Sequence, residues 1–212
     1  MVGLWEALAF SRRAGAVADG LGRTLDRLDR MLGLVRSHVP DLQIVHKQDS
    51  RLMRVLAGVL TPLTPDFSTR YTTVLGRTVY LPRPLAQFDR DQLAGVLAHE
   101  LVHQIDMREH GAWFYVSYLV APLPTGRTQR AFWERRAYAV DLMLAFHDEG
   151  EEGLQRVLRW LVATFSGPTY GWMWLGEDAA GRFLASVCRD VRDGVLQRQA
   201  PYDEIYEAWT GG

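Results

Sequence analysis

The stretch HELVH, residues 99–103, decides how this chain is interpreted. It lies in the middle of a segment, residues 89–111, that has the signals of a single helix. Residues four apart lie one turn above each other on a helix, so His99 and His103 project from the same face. Two imidazoles in that arrangement can bind a single metal ion, and the glutamate between them lies close enough to act on a water held there.

The ends and the interior of this segment support a buried helix. Asp89 with Gln92 three residues later is typical of a capping box, and Phe88 before the cap can pack against Leu93. Gly111 is typical of the residue that follows a helix. The alternative, two histidines that only make surface hydrogen bonds, does not explain a glutamate between them on a turn whose other residues are apolar: Val96, Leu97, Leu101 and Val102.

Composition places the chain among ordinary globular proteins. It has 212 residues, of which 48% are hydrophobic and 23% are charged. We interpret residues 1–212 as one domain, with N-terminal helices and a small sheet in 1–88 and the HELVH helix and C-terminal helices in 89–212. The net charge of −1 and the absence of a lysine- or arginine-rich block predict no nucleic-acid partner.

Cysteine content and apolar runs favour a cytoplasmic protein. Cys188 is the only cysteine, so the chain cannot form an intramolecular disulfide, which favours a reducing compartment. Residues 1–20 lack the basic-then-apolar order of a signal peptide. No uninterrupted stretch approaches the roughly 20 apolar residues of a membrane span.

Hydrophobic periodicity predicts many helices and few strands. Apolar residues recur with helical spacing over residues 17–38, 50–60, 129–147, 152–165 and about 178–195. β-Branched runs predict a short strand over 42–46 and a hairpin made of Tyr71–Leu75 and Thr78–Leu81 around Gly76-Arg77. The predicted fold class is therefore α+β, helix-rich, with a small antiparallel or mixed sheet.

A catalytic zinc site needs a third protein ligand, and Glu134 is the candidate. Catalytic zinc usually has three protein ligands and one position open to water. Glu134 lies near the start of the predicted helix over 129–147, next to Trp133, Ala137 and Tyr138, an unusual place for a solvated charge.

Other acidic and imidazole side chains compete with Glu134 for the third position or support the ligands. Asp141 lies two turns further along the same face, and His147 lies beyond it. Asp106 lies one turn after His103. Asp106 or Asp141 could accept the second N–H of a ligating imidazole, and each could instead be an exposed helix charge.

With these residues the chain resembles the zincin metallopeptidases. HELVH matches the H-E-x-x-H motif of zinc-dependent peptidases. The later Glu134 resembles the ligand of the gluzincin branch, in which a glutamate on a following helix completes the site. Its surroundings, with Ala137, Leu142 and Leu144, are similar to those of small bacterial and phage-related intracellular metallopeptidases, over about residues 71–146.

The resemblance implies a fold, a cofactor and a mechanism. It implies a zincin-like fold whose sheet packs on the HELVH helix, and one zinc ion per chain held by His99, His103 and Glu134. Zinc would lower the pKa of a bound water, and Glu100 would take its proton and pass it to the leaving amine. Tyr170, in a loop rich in glycine and aromatic residues, is the first candidate for a donor to the oxyanion, and Tyr138 is the second.

The expected substrate is a peptide or protein. Zincins generally bind an extended peptide against a sheet edge, so one strand of the hairpin 71–81 could pair with it. We therefore expect an endopeptidase that cuts flexible segments. Pockets lined by Trp113, Phe114 or Trp172 would determine its selectivity. A zinc-binding module without turnover and a hydrolase of a non-peptide substrate are the alternatives. The intact Glu100 argues against the binding module, which has no need for a general base.

Overall fold

Residues 26–60, 68–69, 72–119, 128–167, 173 and 176–212 are described by a computed structural model of the chain. Helices account for 75% of them, and three strands form one small mixed sheet. This confirms the predicted helix-rich α+β class. The described residues fall into two compact units, one comprising those up to Leu97 with Ala208–Gly212, the other Ala98–Glu207. The interpretation as one domain stays a prediction.

The first unit begins with two helices that start where the sequence places a capping side chain. Helix α1 (Arg27–His38) follows Asp26, whose carboxylate accepts a 3.0 Å hydrogen bond from the Asp29 amide. Helix α2 (Arg51–Leu60) follows Ser50, whose hydroxyl accepts from the Met53 amide at 3.3 Å. The part of the predicted helix 17–38 before residue 26 lies outside the described residues.

The sheet has three strands, β1 (Gln43–His46), β2 (Thr73–Leu75) and β3 (Thr78–Leu81). Their order is β1-β3-β2, with β3 parallel to β1 and antiparallel to β2. The tight turn at Gly76 has a φ of +58°, a conformation that glycine adopts without steric cost. The predicted hairpin is thus confirmed, and its central strand is β3.

Helix α3 (Arg90–His110) contains the HELVH motif and has both predicted ends. The Asp89 carboxylate accepts hydrogen bonds from the Asp91 and Gln92 amides at 3.0 and 3.3 Å. At the other end Gly111 has a φ of +55°, and its amide donates to the Met107 carbonyl at 2.8 Å. The continuous helix between these two caps places His99 and His103 on one face. From Ala98 onward α3 belongs to the second unit.

The second unit adds four helices to the end of α3. They are α4 (Ala112–Leu119), α5 (Gln129–Ser166), α6 (Glu177–Arg192) and α7 (Tyr202–Thr210), whose last residues from Ala208 onward belong to the first unit. The Thr128 hydroxyl caps α5 by accepting from the Ala131 amide at 3.1 Å. Gly150, with φ +62° and ψ −147°, breaks the helical conformation inside α5. This break separates the two helices that the sequence predicts over 129–147 and 152–165.

Helix α7 has no counterpart among the predicted elements, although its apolar residues have helical spacing. Tyr202, Ile205 and Trp209 are buried at positions i, i+3 and i+7. The segment has only nine residues, which is too short for a helix to be stable without tertiary contacts. In the first unit the Arg30 guanidinium donates to the carbonyls of Ala208 and Trp209 at 2.7 and 2.9 Å. These bonds satisfy carbonyls that a helix end leaves without intrahelical partners.

The core of the second unit lies where α5 packs against α3 and α6. Its fully buried apolar residues include Leu101, Leu142, Leu154, Leu161, Leu184 and Val191. Among the described residues, no helix has both the length and the hydropathy needed to cross a membrane.

Two helical glycines give a matched test of the close approach of the chain at the break inside α5. A Cβ at Gly153, in α5, would lie 2.5 Å from the Ala145 carbonyl oxygen and 2.8 Å from the Glu149 Cβ. We expect G153A to lower the free energy of unfolding by about 1–3 kcal/mol because the helix backbone must shift. A Cβ at Gly181, in α6, would meet no heavy atom within 4 Å. G181A should therefore raise the free energy of unfolding by about 0.5–1 kcal/mol in urea titrations. A G153A variant as stable as the wild type would contradict the close approach at the break in α5.

Candidate metal centre

Helices α3 and α5 bring the three predicted ligands together. His99 and His103 come from α3 and Glu134 from the first turns of α5, and one potential ligand atom of each lies within 4.8 Å of the others. The Glu134 Oε2 atom lies 3.9 Å from His99 Nε2 and 3.8 Å from His103 Nε2. The arrangement depends on the four-residue spacing of the histidines and on α5 crossing α3 at that turn.

The three predicted ligand atoms are buried and converge on a common centre. His99 and Glu134 are 0% exposed and His103 is 6% exposed. In the part of the chain that the structure describes, His99 Nε2, His103 Nε2 and Glu134 Oε2 make no hydrogen bond. Leaving such buried groups unpaired costs roughly 1–3 kcal/mol each. A cation bound between them would remove that cost.

The chemistry and spacing of these donors suit zinc. Two imidazole nitrogens and one carboxylate oxygen are a ligand set of catalytic zinc sites. Tetrahedral zinc bonds of about 2.0–2.1 Å separate two ligand atoms by roughly 3.4 Å. The observed 3.8 and 3.9 Å would need to close by about half an ångström, well within side-chain rotation.

Asp141 orients one of the two imidazoles. Its Oδ2 atom lies 2.6 Å from His99 Nδ1, and both side chains are buried. A carboxylate that accepts the Nδ1 proton fixes the tautomer and leaves the Nε2 lone pair directed at the centre. Burial raises the pKa of Asp141, while the neighbouring His99 opposes that rise. Of the two supporting carboxylates that the sequence proposes, Asp141 takes this position.

The other side chains considered with Asp141 have different partners. Asp106 accepts from the Arg136 Nε at 3.0 and 3.1 Å, an ion pair separate from the imidazoles. His147 lies 3.0 Å from the Tyr206 hydroxyl, on the exposed side of α5. Both are therefore outside the cluster formed by the three ligands.

Tyr118 is a site residue that the sequence analysis does not identify. It lies on α4, and its hydroxyl donates a hydrogen bond to Glu134 Oε1. Burial raises the pKa of Tyr118, so the phenol keeps its proton and remains a donor. The available signal was the aromatic segment Trp113–Tyr118: if helical, it places Phe114, Ser117 and Tyr118 on one face.

The charges in the centre favour an ionised Glu134. Burial acts to raise its pKa, but the His103 imidazole, Arg130 and His99 together outweigh burial and lower the pKa of Glu134 to about 2. Burial acts to lower the pKa of His103, and Glu134 with Glu100 reverses this into a net rise. Glu134 is thus a carboxylate at neutral pH, the protonation state that a metal ligand requires.

Glu100 lies beside the ligands without belonging to them. It is buried, and its Oε1 atom makes no hydrogen bond to any residue that the structure describes. Burial raises the pKa of Glu100, while His99 and His103 act to lower it. A carboxylate with a raised pKa accepts and returns a proton closer to neutral pH, which suits a general base.

The structure covers one of the two predicted oxyanion donors. Tyr138 is fully buried, and its ring packs edge-on against His99 with the centroids 4.6 Å apart. This contact makes it a packing partner of a ligand. Tyr170 lies outside the described residues, so its assignment stays a prediction.

The structure likewise describes only some of the residues that were predicted to line specificity pockets. Phe114 is buried, with its ring 6.1 Å from the His103 ring, whereas Trp113 is 55% exposed on the outer face of α4. Trp172 lies outside the described residues. Of the two that the structure describes, Phe114 is the one whose ring lies near a predicted ligand.

Comparisons with known proteins place the chain in no family. No protein-family model, no curated protein and no solved structure matches it significantly. The resemblance to zincins therefore depends on the HELVH motif, on Glu134 and on the geometry that joins them.

A series of alanine substitutions tests the ligand assignment. We expect E134A to weaken zinc binding by more than about 100-fold, because it removes a ligand. D141A should weaken it by about 10–100-fold, because His99 loses its orienting acceptor. E109A, on the exposed end of α3 and outside the cluster of His99, His103 and Glu134, should leave the affinity unchanged.

The affinities are measured by competition with a chromogenic chelator, with circular dichroism to verify folding. Full zinc affinity in folded E134A together with loss in E109A would overturn the assignment.

Proposed function

We propose that the protein is a zinc-dependent metallopeptidase, an endopeptidase that hydrolyses peptide bonds in flexible segments of a peptide or protein substrate. One observation supports this above the others. Three buried, converging ligand atoms of His99, His103 and Glu134 adjoin a buried Glu100 that has a free carboxylate oxygen within the described part of the chain. The cofactor in this proposal is one zinc ion per chain.

The ligand set determines the chemistry that such an ion supplies. Two neutral imidazoles and one carboxylate contribute a single negative charge, so the centre keeps a net positive charge when a divalent ion is bound. Zinc in such a site acts as a Lewis acid that makes water a nucleophile near neutral pH and polarises a carbonyl.

Side chains of the protein would carry out the remaining steps. Glu100 accepts a proton from the attacking water and delivers it to the leaving amine as the peptide bond breaks. Asp141 holds His99 in the tautomer that donates from Nδ1 and accepts at Nε2. The apolar residues of α3 and α5 around the centre exclude bulk water, which strengthens these charge interactions.

The substitution Glu100→Gln tests whether the centre is catalytic. The amide has nearly the same shape but cannot accept the proton, so E100Q should bind zinc like the wild type. We expect it to lose about 10²–10⁴-fold in turnover, the range that a general base contributes. Peptide cleavage is measured by mass spectrometry of proteome-derived peptide pools.

The control E109Q makes the same chemical change at an exposed position of α3 and should cleave like the wild type. Equal cleavage by the wild type and E100Q would contradict the mechanism. A wild type that binds zinc and cleaves no pool would favour the alternative, a zinc-binding domain that recognises a peptide or protein without turnover.

A cytoplasmic location and a non-nucleic-acid partner complete the proposal. Cys188 is the only cysteine and is buried, so the fold does not use an intramolecular disulfide. The net charge of −1 offers no excess of positive charge for a phosphate backbone. Both features are consistent with a protein that acts on peptides in a reducing compartment.

The hypothesis that substrate adds a strand to the sheet requires a free edge. Strand β3 is paired on both sides, whereas β2 is the last strand in the order β1-β3-β2. Of the two hairpin strands, Thr73–Leu75 therefore has unpaired backbone groups available to a peptide within the described sheet.

We expect a substrate peptide that carries a photo-crosslinking group to label β2 and not β3. Mass spectrometry of the digested adduct locates the label. Labels confined to α5, α6 and α7, with none on residues 72–81, would exclude strand addition.

A further inference from the structure

The two carboxylate oxygens of Glu134 have different surroundings. Oε1 accepts the hydrogen bond that the Tyr118 hydroxyl donates. Oε2 makes no hydrogen bond to the described residues and lies 3.9 and 3.8 Å from the Nε2 atoms of His99 and His103. One oxygen of the carboxylate, Oε2, therefore faces the centre, and the other, Oε1, is already hydrogen-bonded.

Tyr118 is held firmly enough to maintain this difference. Its ring stacks on Phe114 with the centroids 5.5 Å apart and meets the His103 ring edge-on at 6.0 Å. The Arg130 guanidinium lies over the same ring, 4.9 Å from its centroid. A phenol packed on three sides has little rotational freedom, so its hydroxyl stays on Oε1.

Helix α4, which carries Tyr118, is fixed to α5 by a second contact. The Trp133 indole N–H donates to the Ser117 hydroxyl at 2.9 Å, and both side chains are buried. Trp133 immediately precedes Glu134 on α5. The donor Tyr118 and its acceptor are thus each one residue away from this buried hydrogen bond, which sets their separation.

We propose that Tyr118 is a positioning residue that restricts Glu134 to single-oxygen ligation of the metal, an inference that rests on the metal site of the proposed function. A carboxylate can bind a cation through one oxygen or through both. Binding through both would add a fifth ligand atom beside the two imidazoles, the first carboxylate oxygen and a water molecule, and so would crowd the position that water or substrate needs. A hydrogen bond to Oε1 competes with the second metal–oxygen contact and so keeps that position open.

Cobalt(II) replaces zinc in the experiment because its visible bands report the coordination number. Four-coordinate cobalt absorbs much more strongly in its d–d bands than five- or six-coordinate cobalt, so intensity at saturating metal distinguishes the two modes. We expect a strong spectrum for the wild type. Y118F keeps the ring contacts and loses the donor, so its saturated spectrum should be several-fold weaker, as expected for a carboxylate that binds through both oxygens.

The control Y115F removes a phenol hydroxyl from the exposed side of the same helix and should retain the wild-type spectrum. Y118M is a second variant without the hydroxyl, and it should give the same weakened spectrum as Y118F. Circular dichroism verifies that each variant is folded, and titration to saturation separates weaker binding from changed coordination.

Three results would overturn the inference, and they can be told apart. An unchanged saturated spectrum in Y118F and Y118M would show that Tyr118 does not restrict Glu134 while leaving the metal site intact. Loss of all cobalt binding in folded Y118F would show that Tyr118 is needed to assemble the site. A wild type that binds no cobalt would contradict the metal site itself, and with it the proposed function.

Discussion

The approach of the Glu134 carboxylate to His99 and His103 is the interaction on which the second unit depends. It joins α5 to α3 at a point where every participating side chain is buried. A buried ion of this kind is stable only when the opposing charge and the hydrogen bonds are nearly complete. The hydrogen bonds and charges around Glu134 and the two imidazoles therefore help to compensate for the removal of the carboxylate from water.

Those contacts are unequal for the two imidazoles. His99 has an acceptor for its second nitrogen in Asp141, and the Tyr138 ring packs against it. His103 Nδ1 makes no hydrogen bond to the residues that the structure describes, and aromatic rings surround it. His99 is thus oriented by a directional bond, whereas His103 is oriented mainly by packing. Electrostatic attraction to Glu134 supplies the rest of its constraint, which is consistent with the rise in its pKa.

Local patterns in the sequence predict the parts of this site that depend on helix periodicity. The caps at Asp89 and Gly111, the four-residue spacing of the histidines and the hairpin are of this kind, and the structure has all of them. The choice between Asp106 and Asp141 could not be made from spacing, because both lie on suitable faces. It is decided by Arg136, thirty residues from Asp106 in the chain, which takes that carboxylate into an ion pair. Tyr118 could not be predicted because its role depends on how α4 docks on α5.

The balance of buried charge explains why a divalent cation suits this centre. Glu100, Asp106, Glu134 and Asp141 are all buried carboxyl groups in or near it. The Arg136 guanidinium compensates Asp106, and His99 Nδ1 lies within hydrogen-bond distance of Asp141. Glu134 and Glu100 then face two imidazoles that must be neutral to ligate a metal. The Arg130 guanidinium lowers the pKa of Glu134, while burial raises the pKa of Glu100, so neutral imidazoles leave more negative than positive charge in the centre. A divalent ion would supply positive charge at the point where the three predicted ligand atoms converge.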